Sequence, residues 1–160
     1  MSTLVTRTWI AIGALIVLIA VNWSIYGKEQ TIANGEPIYV QLAPVDPRSL
    51  MQGDYMALRF TLAEDIERAR RSGQLASDAR RAPIHVDSRG VAHLRTDGAE
   101  GWSIAFKIRN NGVWLGTNAY FFEEGTAQQF EAARFGEFRL NVETGEAVLV
   151  GLRDEELRKL

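Results

Sequence analysis

Few side chains in this chain are typed and spaced for chemistry, and each set has a structural role open to it beside the chemical one. Ser49 with Lys107 would supply a hydroxyl nucleophile and an amine base. No spacing brings the two together, and a lysine on the polar side of a strand is ordinarily just solvated. Asp46 and Asp54 bracket a turn, as two carboxylates for acid–base work would. Each can also act locally, since Asp46 suits a helix cap and Asp54 can accept from loop N–H groups or from Arg48. An internal lock of the turn is therefore favoured. His85 and His93 form the metal-like pair, but zinc needs a third protein ligand, which only Asp87 is near enough to offer. Glu123-Glu124-Gly125 reads as a loop leading into a helix. Tyr55 and Arg59 remain, and they are residue types that anchor protein interfaces. The expectation is no catalytic residue, no cofactor and no metal, with His85 and His93 the metal candidates.

Composition narrows the classes further. The 160 residues carry 18 basic and 20 acidic side chains, a net charge of −2, so no basic surface for nucleic acid is implied. Cysteine is absent, which removes disulfides, thiolate catalysis and cysteine-held metal or iron–sulfur sites. No phosphate-cradling glycine pattern, Ser-His-Asp order or ferredoxin spacing occurs.

The elements that must hold these residues begin with an uncharged run from Trp9 to Tyr26. As a helix it spans roughly 27 Å, close to the thickness of a hydrocarbon core. Trp9 at one end and Trp23 with Tyr26 at the other fit the aromatic belts of membrane interfaces. The run exceeds a signal-peptide core, and the bulky residues after it lack a small-x-small cleavage site, so an anchor is expected. Arg7 and the amino terminus precede the span, whereas Lys28 is followed at once by Glu29, which puts the N-terminus in the cytoplasm and the domain outside. Asn22 and Ser24 read as interfacial groups or as donors to a partner helix. The expected division is 1–27 for the tip and anchor, 28–37 for a tether, and 38–160 for an extracytoplasmic β domain.

Within that domain Ile38 to Leu42 reads as a first strand, followed by a rigid turn from Pro44 to Gly53 and a strand from Tyr55. In the turn Asp46 can cap a short helical turn, Pro47 suits its first position, and Gly53 can close it in a left-handed conformation. Alternation then puts Met56, Leu58 and Phe60 on one face and Tyr55, Ala57 and Arg59 on the other. Thr61 and Glu64 form a capping box for a helix with Arg68, Arg70 and Arg71 in its last turn and Gly73 after it. Residues 74–82 read as an exposed connection. Ile84 to Asp87 and Val91 to Arg95 make a hairpin in which Ile84 faces Leu94 and His85 faces His93, with Gly90 left-handed. Trp102 to Arg109 reads as a half-buried strand, turned by Asn110-Asn111-Gly112 into a long central strand from Val113 to Phe122. A second capping box at Thr126 and Gln129 starts a short helix closed by Gly136. A hairpin around Glu143-Thr144-Gly145 and a terminal helical turn over Leu152 to Leu160 complete the chain. The fold class expected is mostly β (α+β): a transmembrane helix, then an antiparallel, barrel-like or sandwich domain with two short helices.

Gly53, Asp54, Tyr55 and Leu58 stand as in the GDYXXLXY protein family, and P-V-D-P-R-S-L-M-Q, F-G-E-F-R and V-G-L-R-D-E are similar to it as well. The last motif position is Phe60 here, so any hydrogen bond from a phenol at that place is not general to the fold. The resemblance implies a bacterial membrane-anchored protein with a neighbouring multi-pass membrane partner and no particular reaction; with the charge reading, the expected place is the inner membrane with the domain in the periplasm. R-S-L-M-Q-G-D-Y also looks similar to the catalytic region of type I signal peptidase. With Gly53-Asp54 aligned, however, the nucleophile position falls on Val45, which has no hydroxyl to attack a carbonyl. The reading adopted is a single-pass accessory or interaction module whose surface over Asp46, Pro47, Arg48, Gly53, Asp54, Tyr55, Leu58 and Arg59 docks onto another membrane or envelope protein. The lipid bilayer, met by residues 9–26, is its other partner, and nucleic acid is not one. A membrane-tethered hydrolase and a small-ligand-binding β domain are the alternatives.

Overall fold

The computed structural model describes residues 3–43, 51–52, 55–109 and 112–160. Helix α1, Thr3–Asn34, is one uninterrupted helix of 32 residues, roughly 48 Å long. It is long and apolar enough to cross a membrane over Arg7–Asn34, and its apolar side chains, Trp9, Trp23 and Tyr26 included, stand exposed. The helix thus runs through most of the expected tether at 28–37, and strand β1, Glu36–Gln41, begins two residues after it. Asn22 does not need a partner helix: its Nδ2 donates to the Leu18 carbonyl one turn back, at 2.8 Å.

The remainder is mostly β, in antiparallel sheets that do not close into a barrel. Strand β1 lies against β10 (Phe135–Leu140), which pairs on its other edge with β11 (Ala147–Arg153). Pro37, which cannot donate to a ladder, is accommodated because β1 is an edge strand. β2 (Met51–Gln52), β3 (Tyr55–Ala57) and β9 (Ala119–Phe121) form a second sheet; β4 (Arg81–Val86) lies between β5 (Ala92–Leu94) and β6 (Ser103–Ala105) in a third. β7 (Lys107–Arg109) and β8 (Gly112–Trp114) make a separate pair. Helix α2, Thr61–Arg71, packs against β1, β5 and β8. Ile38, Val40, Phe138 and Leu140 from the first sheet, Ile66 from α2, and Ile84 and Ile104 from the third meet in one core, each fully buried.

Several expectations hold to the residue. The β4–β5 hairpin pairs Ile84 with Leu94 and His85 with His93, and Gly90 turns it with φ +83°. The outward and inward rows of the Tyr55 strand are as the alternation requires. Others are corrected. The capping box at the start of α2 is absent: Phe60 is the cap residue, its carbonyl accepts from Ala63 and Glu64 N–H, and the Thr61 hydroxyl makes no hydrogen bond. The long 113–122 strand is broken, because Gly116 adopts φ +93° and Thr117 Oγ1 bonds both the N–H and the carbonyl of Ala119. Its second half, β9, is an edge strand and not a central one. The second helix is a 3-10 turn, Ala127–Phe130, and Gly136 lies inside β10 instead of closing it. The expected terminal helix does not form: β11 stays paired with β10 as far as Arg153, and residues 154–160 make a turn that brings Lys159 back to bridge Arg153.

Candidate functional site

Asp46, Pro47, Arg48, Gly53 and Asp54, together with Val45 and Ser49, lie outside the described residues. What the structure positions is the strand that follows them. β3 hydrogen-bonds to β9, with Tyr55 opposite Phe121 and Ala57 opposite Ala119. Met56, Leu58 and Phe60 enter the core; the Leu58 N–H donates to the Asn118 carbonyl at 2.7 Å, and the Phe60 ring meets Phe138 edge-on at 5.2 Å. Phe60 thus fills the last motif position by packing alone, with no need of a hydroxyl.

The opposite row, Tyr55, Ala57 and Arg59, faces outward. Tyr55 lies against the Phe121 ring at 5.7 Å. Arg59 is exposed, and its guanidinium makes no ion pair among the described residues. Beside it runs a groove of about 300 Å³ walled by α2 through Ala63, Glu64 and Glu67, and by β8 through Val113 and Trp114. The guanidinium of Arg109 lies 4.1 Å from the Trp114 ring centroid, a cation–π contact that fixes the indole on the groove wall. Arg59, Trp114 and the two glutamates therefore converge on one concave strip.

The other chemical candidates are separated from this strip or committed elsewhere. His85 and His93 are both exposed, their rings stacked 5.2 Å apart. Asp87 does turn toward them, with Oδ2 at 3.4 Å from His93 Nε2. Its other oxygen accepts from the N–H groups of Arg89 (2.8 Å) and Val91 (2.9 Å), so the carboxylate is chiefly the lock of the hairpin turn. The Val91 N–H holds the Asp87 pKa below its ordinary value; burial opposes this, and the Arg89 N–H and His93 add to it. Among the described residues no group of three or more histidines and carboxylates could hold a metal ion. Lys107 stands exposed on β7, where it pairs across to Trp114.

Two further charged clusters went unread in the sequence: Glu137 and Arg153 meet only through the pairing of β10 with β11, whereas Asp154, Glu156 and Arg158 meet within one local turn. Glu137 is buried and accepts from Arg153 Nε at 2.9 Å, at a bulge between Glu137 and Phe138. Asp154, also buried, accepts from the N–H groups of Glu156 (3.1 Å) and Arg158 (2.8 Å) and from Arg158 Nε (2.7 Å). Both are fully satisfied structural pairs. Phe121 is the exposed residue that the sequence concealed: its apolar run pointed inward, and the broken strand leaves it 75% exposed.

No curated protein and no solved structure matches the chain. The family model for the GDYXXLXY protein matches residues 17–152, from within the apolar helix to the last residue but one of the final strand. The chain belongs to the GDYXXLXY protein family.

Proposed function

We propose that this protein is a single-pass accessory module of the bacterial inner membrane, its domain on the periplasmic side, which docks onto another membrane or envelope protein through the 44–59 surface and catalyses no reaction. The observation that carries the reading is the outward row that β3 begins: Tyr55 on the strand and Arg59 two residues past its end, held by buried Met56 and Leu58 beside a groove walled by Trp114. Tyrosine and arginine combine a large apolar body with a polar tip and are enriched among the residues that carry the energy of protein interfaces. The Arg7 charge before the span supports the orientation.

The decisive experiment is co-purification from native membranes with α1 intact. Arg59→Ala and Tyr55→Ala should each release the partner while the melting temperature stays within a few degrees of wild type. If both variants retain the partner, the docking surface lies elsewhere; if both melt far lower, the row is part of the folding core. Ser49→Ala and Lys107→Ala should change neither fold nor partner binding, and loss of a hydrolytic activity in either would reinstate the signal-peptidase-like reading.

A further inference from the structure

Where α1 meets the domain, two neighbouring grooves share Lys28. One, of about 340 Å³, is lined by Lys28, Tyr120, Phe121, Val148 and Leu149. The other, of about 480 Å³, adds Lys107, Trp114 and Glu146. Lys28 comes two residues after Tyr26, where the uncharged run ends, a distance of roughly 3 Å along the axis. From Lys28 to the helix end at Asn34 is roughly 9 Å more. The flank of the domain therefore does not stand clear of the anchor. It descends beside the last turns of α1 to the level at which the apolar run stops.

In the groove that Lys28 walls lies Phe121, an apolar ring that is 75% exposed on an edge strand. Lys28 is paired with Glu146, whereas the Lys107 ammonium makes no ion pair among the described residues. We propose that this edge, β9 with Phe121 foremost, rests in the headgroup layer of the bilayer that α1 crosses, with Phe121 among the upper acyl carbons and Lys107 toward lipid phosphate. The inference rests on the membrane reading of α1. Lipid is the occupant chosen because the groove is continuous with the end of the span. The uncharged run of α1 ends within one helical turn of the groove's Lys28 wall. An apolar ring in one groove with a lysine in the adjoining one is also what an interface accepts, the ring going inward and the ammonium outward.

The chain contains no cysteine, so a single introduced thiol can be spin-labelled uniquely. Phe121→Cys, with Ala119→Cys on the same outward row as a second reporter, would be labelled in the full chain and placed in phospholipid nanodiscs. Accessibility to oxygen and to a water-soluble nickel chelate would then be compared. Leu18→Cys reports the middle of the span. Ser88→Cys reports the far side of the domain, next to Arg89, which lies over the Phe135 ring at the opposite end of β10. The proposal expects the Phe121 label to favour oxygen over the chelate several-fold more than the Ser88 label does. It is overturned if the Phe121 and Ala119 labels are as open to the chelate as Ser88 while Leu18 remains shielded. Should the Leu18 label be open to the chelate as well, the membrane reading itself fails. A Phe121 label that is open in lipid discs but shielded in native membranes assigns this edge to a protein and equally overturns the lipid assignment.

Discussion

Asp154 shows how one side chain closes the carboxyl-terminal end of the fold. Burial works against its carboxylate, but the Arg158 N–H and guanidinium and the Glu156 N–H outweigh that and hold its pKa below the ordinary 3.8. Because the folded value is the lower one, the unfolded chain takes up the proton first as pH falls. The stabilisation is therefore complete above 3.8 and is lost as pH drops through the folded value. Asp154→Ala should melt below wild type at pH 7, and the gap should narrow steadily in melts taken at successively lower pH under 3.8. A gap independent of pH would mean that the carboxylate acts through packing and not through charge. The same site holds Leu157 at φ 64°, a left-handed conformation that a non-glycine residue adopts only when its neighbours impose it. The N–H of Leu157 donates to the Asp154 carbonyl, and that of Asp154 to the Arg158 carbonyl, so the clasp is imposed from both sides.

Among the elements, β10 is the one whose character the sequence hid most thoroughly. Gly136 has the look of a helix stop, yet it sits within the strand because a Cβ there would come within 2.9 Å of both Leu149 Cδ1 and Phe60 Cε1. Gly136→Ala should overpack this spot and lower stability by about 1–3 kcal/mol, read from the denaturant midpoint. An unchanged midpoint would show that the two side chains can yield. The contrast with the 84–94 hairpin explains what can be read from sequence and what cannot. That hairpin is specified by adjacent residues, with Asp87 and Gly90 fixing the turn and hence the register. The 61–71 helix is equally local, down to its arginine-rich last turn. By contrast, β11 continues to Arg153 only because Phe135 is there to pair with it, from a distant part of the chain. The 113–122 run is uniformly apolar, and apolarity alone does not reveal a break made by a left-handed Gly116. For the candidate site the same division holds. The outward row of Tyr55 and Arg59 follows from period-two alternation, whereas Trp114, Glu64 and Glu67 join it only through the packing of α2 on β8.

At the scale of the whole molecule, the join between anchor and domain is the decisive feature. Thr31 is buried in the last turns of α1, Gly35 donates to its carbonyl at 2.9 Å, and β1 begins at Glu36. A Cβ at Gly35 would run into the Thr31 carbonyl and stand 3.1 Å from the Leu140 carbonyl oxygen, both backbone atoms that cannot step aside. With no linker between helix and sheet, the domain and the helix should turn together. A fluorophore on Ser88→Cys in nanodiscs should show an anisotropy decay without a fast segmental component. Inserting about eight Gly and Ser residues after Gly35 should introduce one. A fast component already present in wild type would mean that the join bends.

A head fused to its mast cannot reach up, down or sideways in search of company. On the proposed docking it would sweep one narrow ring around its own footing, always at the same altitude, so a partner of Arg59 would have to drift to it within the plane and present its matching feature at that one height.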